Sequence, residues 1–242
     1  MSLRLTPFVK EEFYHIYNRG NSKQVIFHDN DDMSRFQDLL FVLNKPERVD
    51  TRFNKGNRLV VHKQNSNHEG HEGKTYVTED KLVAIGSYCI MQNHFHILLT
   101  PLVDGGVSKF MQKLTTGYSM YYNKKYSHSG GLFEGKFKAK HIADDRYLKY
   151  LFAYINLNPV KLIDPMWKEH GLKDIEKTFK FLDGYRYSSY LDFLHHEGKT
   201  YVNKNMRSES DVLSLEYFPD YFPTGRLFKK EIITWFRYRD TF

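Results

Sequence analysis

Two strand-patterned runs meet across a single dipeptide near the middle of the chain, and that junction limits the folds open to it. KLVAIGSYCIM (81–91) and HFHILLT (94–100) are rich in β-branched and aromatic residues, and only Gln92-Asn93 separates them. Each side of the pair carries one helical pattern and one further strand. Upstream, EFYHIYN (12–18) reads as a strand closed by the Arg19-Gly20-Asn21 turn. Asp29–Asn44 follows as an amphipathic helix, with apolar residues at 33, 36, 39, 40 and 43, and Pro46 ends it. Downstream, apolar residues at 107, 110, 111, 114, 118, 121 and 122 mark a helix over 107–125. A Ser/Gly turn leads to a strand at about 132–142, then a helix from Tyr147 to Asn158 that Pro159 stops. Strand, helix, strand, strand, helix, strand is the split β-α-β order. The expected fold is therefore α+β: a ferredoxin-like antiparallel sheet with helices on one face.

Two stretches fall outside that pattern. Residues 46–81 are dominated by Asn, Gly, His and Lys, with strand-like residues only at LVVH (59–62) and TYV (75–77), and are expected to be an insertion. Residues 163–242 carry helical patches at 172–182, 188–196 and 229–239. They are expected to form a small helical C-terminal extension to a domain of residues 1–162.

The chain is 40% hydrophobic and 16% aromatic, which supports a real core and excludes a disordered chain. No apolar run approaches the ~18 residues a membrane span needs, and the N-terminus lacks signal-peptide features. With the single Cys89, best read as a small buried residue, this leads us to expect a cytoplasmic protein without membrane association. The net charge of +7 arises entirely within the first 162 residues. Between 101 and 142, seven lysines are interleaved with Tyr118, Tyr121, Tyr122, Phe133 and Phe137. Such a stretch suits phosphate neutralisation and base stacking, although a basic surface without a partner has the same composition.

His94 and His96 lie two apart in a strand, so both imidazoles project from one face while Phe95 points to the other. Two histidines on a sheet surface can grip one cation; an isolated His-x-His is more often structural. Tyr154 and Asn158 are four apart on a helix and share a face. That face could present a phenol nucleophile beside a neutral oxygen ligand, or a packed tyrosine with an Asn capping the helix end. Tyr118, Tyr121 and Tyr122 are rival nucleophiles, but their helical spacing with Phe110, Met111 and Leu114 favours packing or base stacking. His62, His68 and His71 sit in the polar stretch and read as loop residues, and His195-His196 as surface.

These residues also carry a family resemblance. IMQNHFHILLTP resembles the His-hydrophobe-His (HUH) signature of single-tyrosine transposases. YLFAYINLNPVK resembles the tyrosine helix of the REP-associated tyrosine transposases, where Tyr-x-x-x-Asn is followed by Pro-Val-Lys or Pro-Val-Arg. YNRGN, LFEGKFKAKHI and YRYSSYLDF are similar to further segments of that family, in the family's order, over about residues 12–195. The stretch 46–81 departs by its length, and Lys136 and Lys138 stand where arginine is more typical.

The resemblance implies a DNA transposase and endonuclease that nicks and rejoins single strands through a 5′-phosphotyrosine. Tyr154 would be the nucleophile, and His94, His96 and Asn158 would hold Mg²⁺ or Mn²⁺. Arg19, Lys109, Lys113, Lys136, Lys138, Lys140 and Lys161 are the candidate DNA contacts. The expected partner is single-stranded DNA at hairpin or repeat ends, met by a monomer or homodimer. The rival readings are a domesticated, non-catalytic DNA-binding protein on the same scaffold, and a replication initiator or relaxase-like nickase.

Overall fold

The computed structural model describes residues 7–49, 81–197, 200–201 and 212–237. The strand-like runs at 59–62 and 75–77, and His62, His68 and His71, lie outside the described residues. Four strands form one antiparallel sheet: β1 (Phe13–Arg19), β2 (Val83–Met91), β3 (His94–Pro101) and β4 (Lys138–Ile142), in the order β2-β3-β1-β4. Helices α1 (Asn30–Val42) and α2 (Gly106–Tyr126) connect β1 to β2 and β3 to β4. That order and connectivity is the ferredoxin-like arrangement expected from the pattern.

Local chemistry sets the helix ends. The Asp29 side chain accepts from the Asp32 amide at the start of α1, and Asp144 accepts from the Tyr147 amide at the start of α3 (Asp145–Leu157). Ahead of α2, Gly105 has φ +70°, in the left-handed region. A Cβ on Gly106 would come within 2.3 Å of the Leu82 carbonyl oxygen, so only glycine fits there. The buried Asp32 carboxylate accepts from the hydroxyls of Tyr121 and Tyr126 and from Lys125, tying α1 to α2.

The sheet has two different faces. On one, Tyr14, Ile16, Phe95, Ile97 and Tyr88 meet α1 and α2; the rings of Phe36 and Phe95 are 4.9 Å apart. On the other lie His15, Tyr17, His94, His96 and Leu98, and α3 crosses it. The two connecting helices thus share a face, as expected, and the sheet's second side belongs to α3.

A β-bulge between Ile85 and Ser87 resets the alternation of β2. From the bulge onward, Ser87, Cys89 and Met91 line up with Leu98, His96 and His94 on the α3 side. Buried Asn156 on α3 uses this. Its amide nitrogen donates to Ser87 Oγ and to the Phe152 carbonyl, and its oxygen accepts from Ser189 Oγ.

The last strand is shorter than the pattern implied. Residues before Lys138 contribute one isolated bridge, Gly20 with Phe133, because the chain turns at Gly135 (φ +63°). After α3, a 3₁₀ turn (Asn158–Leu162) leads to α4 (Trp167–His170), α5 (Ile175–Gly184), α6 (Tyr190–Leu194) and α7 (Gly225–Arg237). These residues close the outer edge of β2. The Ile90 amide donates to the Tyr187 carbonyl, Ser189 to Tyr88, and Ser214 to Ile85. Phe193, Phe218, Phe222 and Phe228 pack with Phe152 of α3 in the same core.

Candidate active site

The strand period places His94 and His96 side by side on the α3 face, with ring centres 5.1 Å apart. Phe95 is fully buried beneath them. The hydrophobic face of α3 docks on β2 and β3 and brings half-buried Tyr154 over the histidines. Its ring lies edge-on to His96 at 5.9 Å and to His15 at 6.3 Å. Nucleophile candidate and histidines therefore meet within one chain. Asn158, 2% exposed, caps the end of this helix: its amide nitrogen donates to the Tyr154 carbonyl at 2.9 Å.

Three imidazoles crowd this face, and all are held neutral near pH 7. Burial first, then the charges of Lys140 and Lys168, lowers His15 to about 4. Burial, followed by Lys161, Lys168 and Arg19, lowers His94 to about 4. Burial, with His15, His94 and Lys168 adding to it, holds His96 well below the ordinary imidazole value. Neutral imidazoles are the form that ligates a metal ion. His94 Nδ1 donates to Asn93 Oδ1 at 2.6 Å, and Asn93 Nδ2 in turn donates to the Lys23 carbonyl, fixing the amide's orientation. The His94 Nε2 lone pair is thereby left for a ligand. Among the described residues no three His, Cys, Asp or Glu side chains converge as a ligand set. A cation here would rest on His94 and His96 with oxygen donors of another kind; the Asn158 side chain is seen bonded to the Tyr154 carbonyl.

The structure sorts the sequence candidates by face. Strand register puts Arg19 opposite His94 and places Lys138 and Lys140 beside Tyr17 and His15, all on the histidine side. Arg19 is ion-paired with Glu134, and Lys140 Nζ donates to the Tyr147 hydroxyl. Lys161 is exposed at the end of the 3₁₀ turn, and Lys136 is exposed in the loop before β4. Lys109 and Lys113 are not brought to this site. They stand on α2, across the sheet, where Lys113 Nζ donates to the carbonyls of Lys45 and Glu47. The rival tyrosines also face away: Tyr118 donates to the Ile26 carbonyl, Tyr121 to Asp32, and Tyr122 pairs with His28. Cys89 is buried beside His96, and burial pushes its thiol up. His195 is exposed.

Two residues at the site were absent from the sequence candidates. His15 Nε2 lies 2.8 Å from His96 Nδ1. Lys168 Nζ is 2.8 Å from the Tyr154 hydroxyl and donates to it. His15 gave one signal, a polar residue inside an apolar strand, but only the β1–β3 pairing shows where it points. Lys168 gave none, because two prolines separate it from α3.

The family model described as "Transposase IS200 like" matches residues 54–158. Over that segment the chain is similar to the IS200-like transposases. The segment holds His94, His96 and Tyr154 and ends on Asn158, whereas His15, Arg19, Lys161 and Lys168 lie outside it. No curated protein matches the chain. Among solved structures, a REP-associated tyrosine transposase bound to a REP hairpin is similar with a TM-score of 0.43. Identity is 12%, over 79% of this chain and 84% of that chain. The segment matched by that model thus contains His94, His96 and Tyr154, the residues that the geometry brings together. No helix among the described residues is long and apolar enough to cross a membrane.

Proposed function

We propose that this transposase-type protein is a single-stranded DNA endonuclease and strand transferase, with Tyr154 as its nucleophile. The observation that carries the reading is the edge-on placement of the Tyr154 ring against His96 at 5.9 Å, with Lys168 bonded to its hydroxyl. In the forward step the phenolic oxygen bonds to phosphorus as the P–O3′ bond breaks. The phenol proton passes to solvent, and the departing 3′ oxygen takes one up. The resulting phosphotyrosine keeps the phosphoester, so the reverse attack rejoins a strand without ATP. Lys168 holds the phenol oxygen and would stabilise negative charge that develops on it when it departs from phosphorus. Arg19, Lys138, Lys140 and Lys161 supply cations around the same face for the DNA backbone. Mg²⁺ or Mn²⁺ held by His94, His96 and Asn158 would polarise the phosphate, and the neutral ligands would leave the full ionic charge facing the substrate.

The test is Tyr154→Phe, assayed with end-labelled single-stranded hairpin oligonucleotides and Mn²⁺. The wild-type chain forms a denaturation-resistant protein–DNA adduct, and the variant forms none while still binding the oligonucleotide. An adduct persisting in the variant removes Tyr154 as nucleophile. A wild-type chain that binds hairpins yet never forms an adduct is a DNA-binding module on the same scaffold.

A further inference from the structure

The reaction does not use the pairing of His15 with His96 on the histidine face. The two are diagonal neighbours across β1 and β3, 7% and 9% exposed, with ring centres 5.0 Å apart. Burying a second polar ring here is costly unless its nitrogens are bonded, and an aliphatic side chain would fill the space without that cost. The 2.8 Å separation of His15 Nε2 and His96 Nδ1 is therefore informative.

Between two neutral imidazoles, one nitrogen donates and the other accepts. If His15 donates, the remaining ring proton of His96 sits on Nε2, and His96 has no lone pair to offer there. If His96 donates from Nδ1, its Nε2 is a bare lone pair, and His15 carries its own proton on Nδ1. The neighbouring His94 is already in the second arrangement, because its Nδ1 faces an oxygen that can only accept. A separation of 2.8 Å between the two nitrogens also leaves no room for an ion between them, so His15 does not share one with His96 through Nδ1.

We propose that His15 is a positioning residue: its Nε2 accepts the Nδ1 proton of His96, orienting that ring and leaving the His96 Nε2 lone pair, like that of His94, for a divalent cation. The cation half of this inference rests on the metal reading under the proposed function. His15 does for His96 what Asn93 does for His94, from a strand outside the family-matched segment.

The experiment uses the full chain. Long-range ¹H–¹⁵N correlation of ¹⁵N-labelled wild-type protein reads the His96 tautomer directly, without metal or DNA. The expected state has the proton on Nδ1, and a proton on Nε2 overturns the proposal. Mn²⁺ affinity is then measured by electron paramagnetic resonance. His15→Leu removes the acceptor and weakens binding about 10- to 100-fold, the range found when outer-shell partners of metal-bound histidines are removed. His15→Gln, whose oxygen can still accept, stays within a few-fold of wild type. An unchanged affinity in the Leu variant, or a Gln variant as weak as Leu, overturns the role of His15. Absence of Mn²⁺ binding by the wild type, with the Nδ1 tautomer present, overturns the metal reading instead.

Discussion

The Lys168 ammonium both donates to the Tyr154 hydroxyl at 2.8 Å and lies 4.3 Å over the centre of the same ring. One cation thus holds the phenol by its oxygen and its π face together. A charge held there by two contacts is fixed in place relative to the phenol oxygen.

Replacing Lys168 with Met should slow adduct formation on the order of tenfold to a hundredfold, with Arg retaining most of the rate. That range lies at and below the roughly hundredfold to thousandfold cost of removing a buried charge-stabilising donor, because Lys168 is solvent-exposed. Single-turnover kinetics at saturating oligonucleotide measure it. A Met variant as fast as wild type would mean that the lysine does nothing for chemistry.

The two sides of the sheet should differ in salt dependence. Each phosphate of single-stranded DNA that a variant no longer neutralises reduces the slope of log K against log salt by about 0.7. Lys138→Gln with Lys140→Gln should flatten that slope by roughly two such steps, since both stand on the histidine face. Lys109→Gln with Lys113→Gln should leave it unchanged, since both stand on the far layer. Fluorescence anisotropy titrations between low and moderate salt separate the cases, and equal effects from the two pairs would refute the facial assignment.

Acid should destabilise the fold through the histidine face. His15 and His94 titrate at about 4 when folded, against 6.5 for the ordinary imidazole. Between those values the unfolded chain binds more protons. Their contribution is therefore complete above pH 6.5 and is lost as pH falls toward 4. For His15 the loss is about 3 kcal/mol over that window. Urea unfolding at a series of pH values should show the decline, and His15→Gln should make it shallower. An identical pH dependence in the variant would count against burial as its source.

Asn156 fastens the tyrosine helix to the bulged strand and to the 185–189 segment at once. With Asn156→Ala, Ser87 and Ser189 keep only part of their bonding in a buried site. The expected loss is about 2 kcal/mol, seen as a lower urea midpoint. A change within a few tenths of a kcal/mol would show that the network is dispensable.

The sequence made much of this legible because the relevant signals are periodic. Strand alternation alone puts His94 and His96 on one face, and helical spacing alone puts Tyr154 and Asn158 on another. The element order was enough for the sheet topology. What escaped depends on register and on tertiary approach. Nothing in EFYHIYN says that His15 will stand diagonal to His96, because pairing between strands some 80 residues apart is set by the whole core. The β2 bulge was equally hidden, since one extra residue changes no composition yet reverses which side chains meet α3. Lysine charge was a poor guide to place: Lys113 spends its ammonium on the carbonyls after α1, while the unremarkable Lys168 reaches the phenol.

β1 precedes the family-matched segment and yet occupies an interior slot of the sheet, between β3 and β4. A fragment restricted to residues 54–158 would therefore leave two facing rows of unpaired backbone N–H and C=O groups, one along β3 and one along β4. Such rows recruit strands from other molecules. The smallest autonomous piece of this protein must reach back at least to Phe13, and a shorter one should be recovered as aggregate rather than as a folded domain.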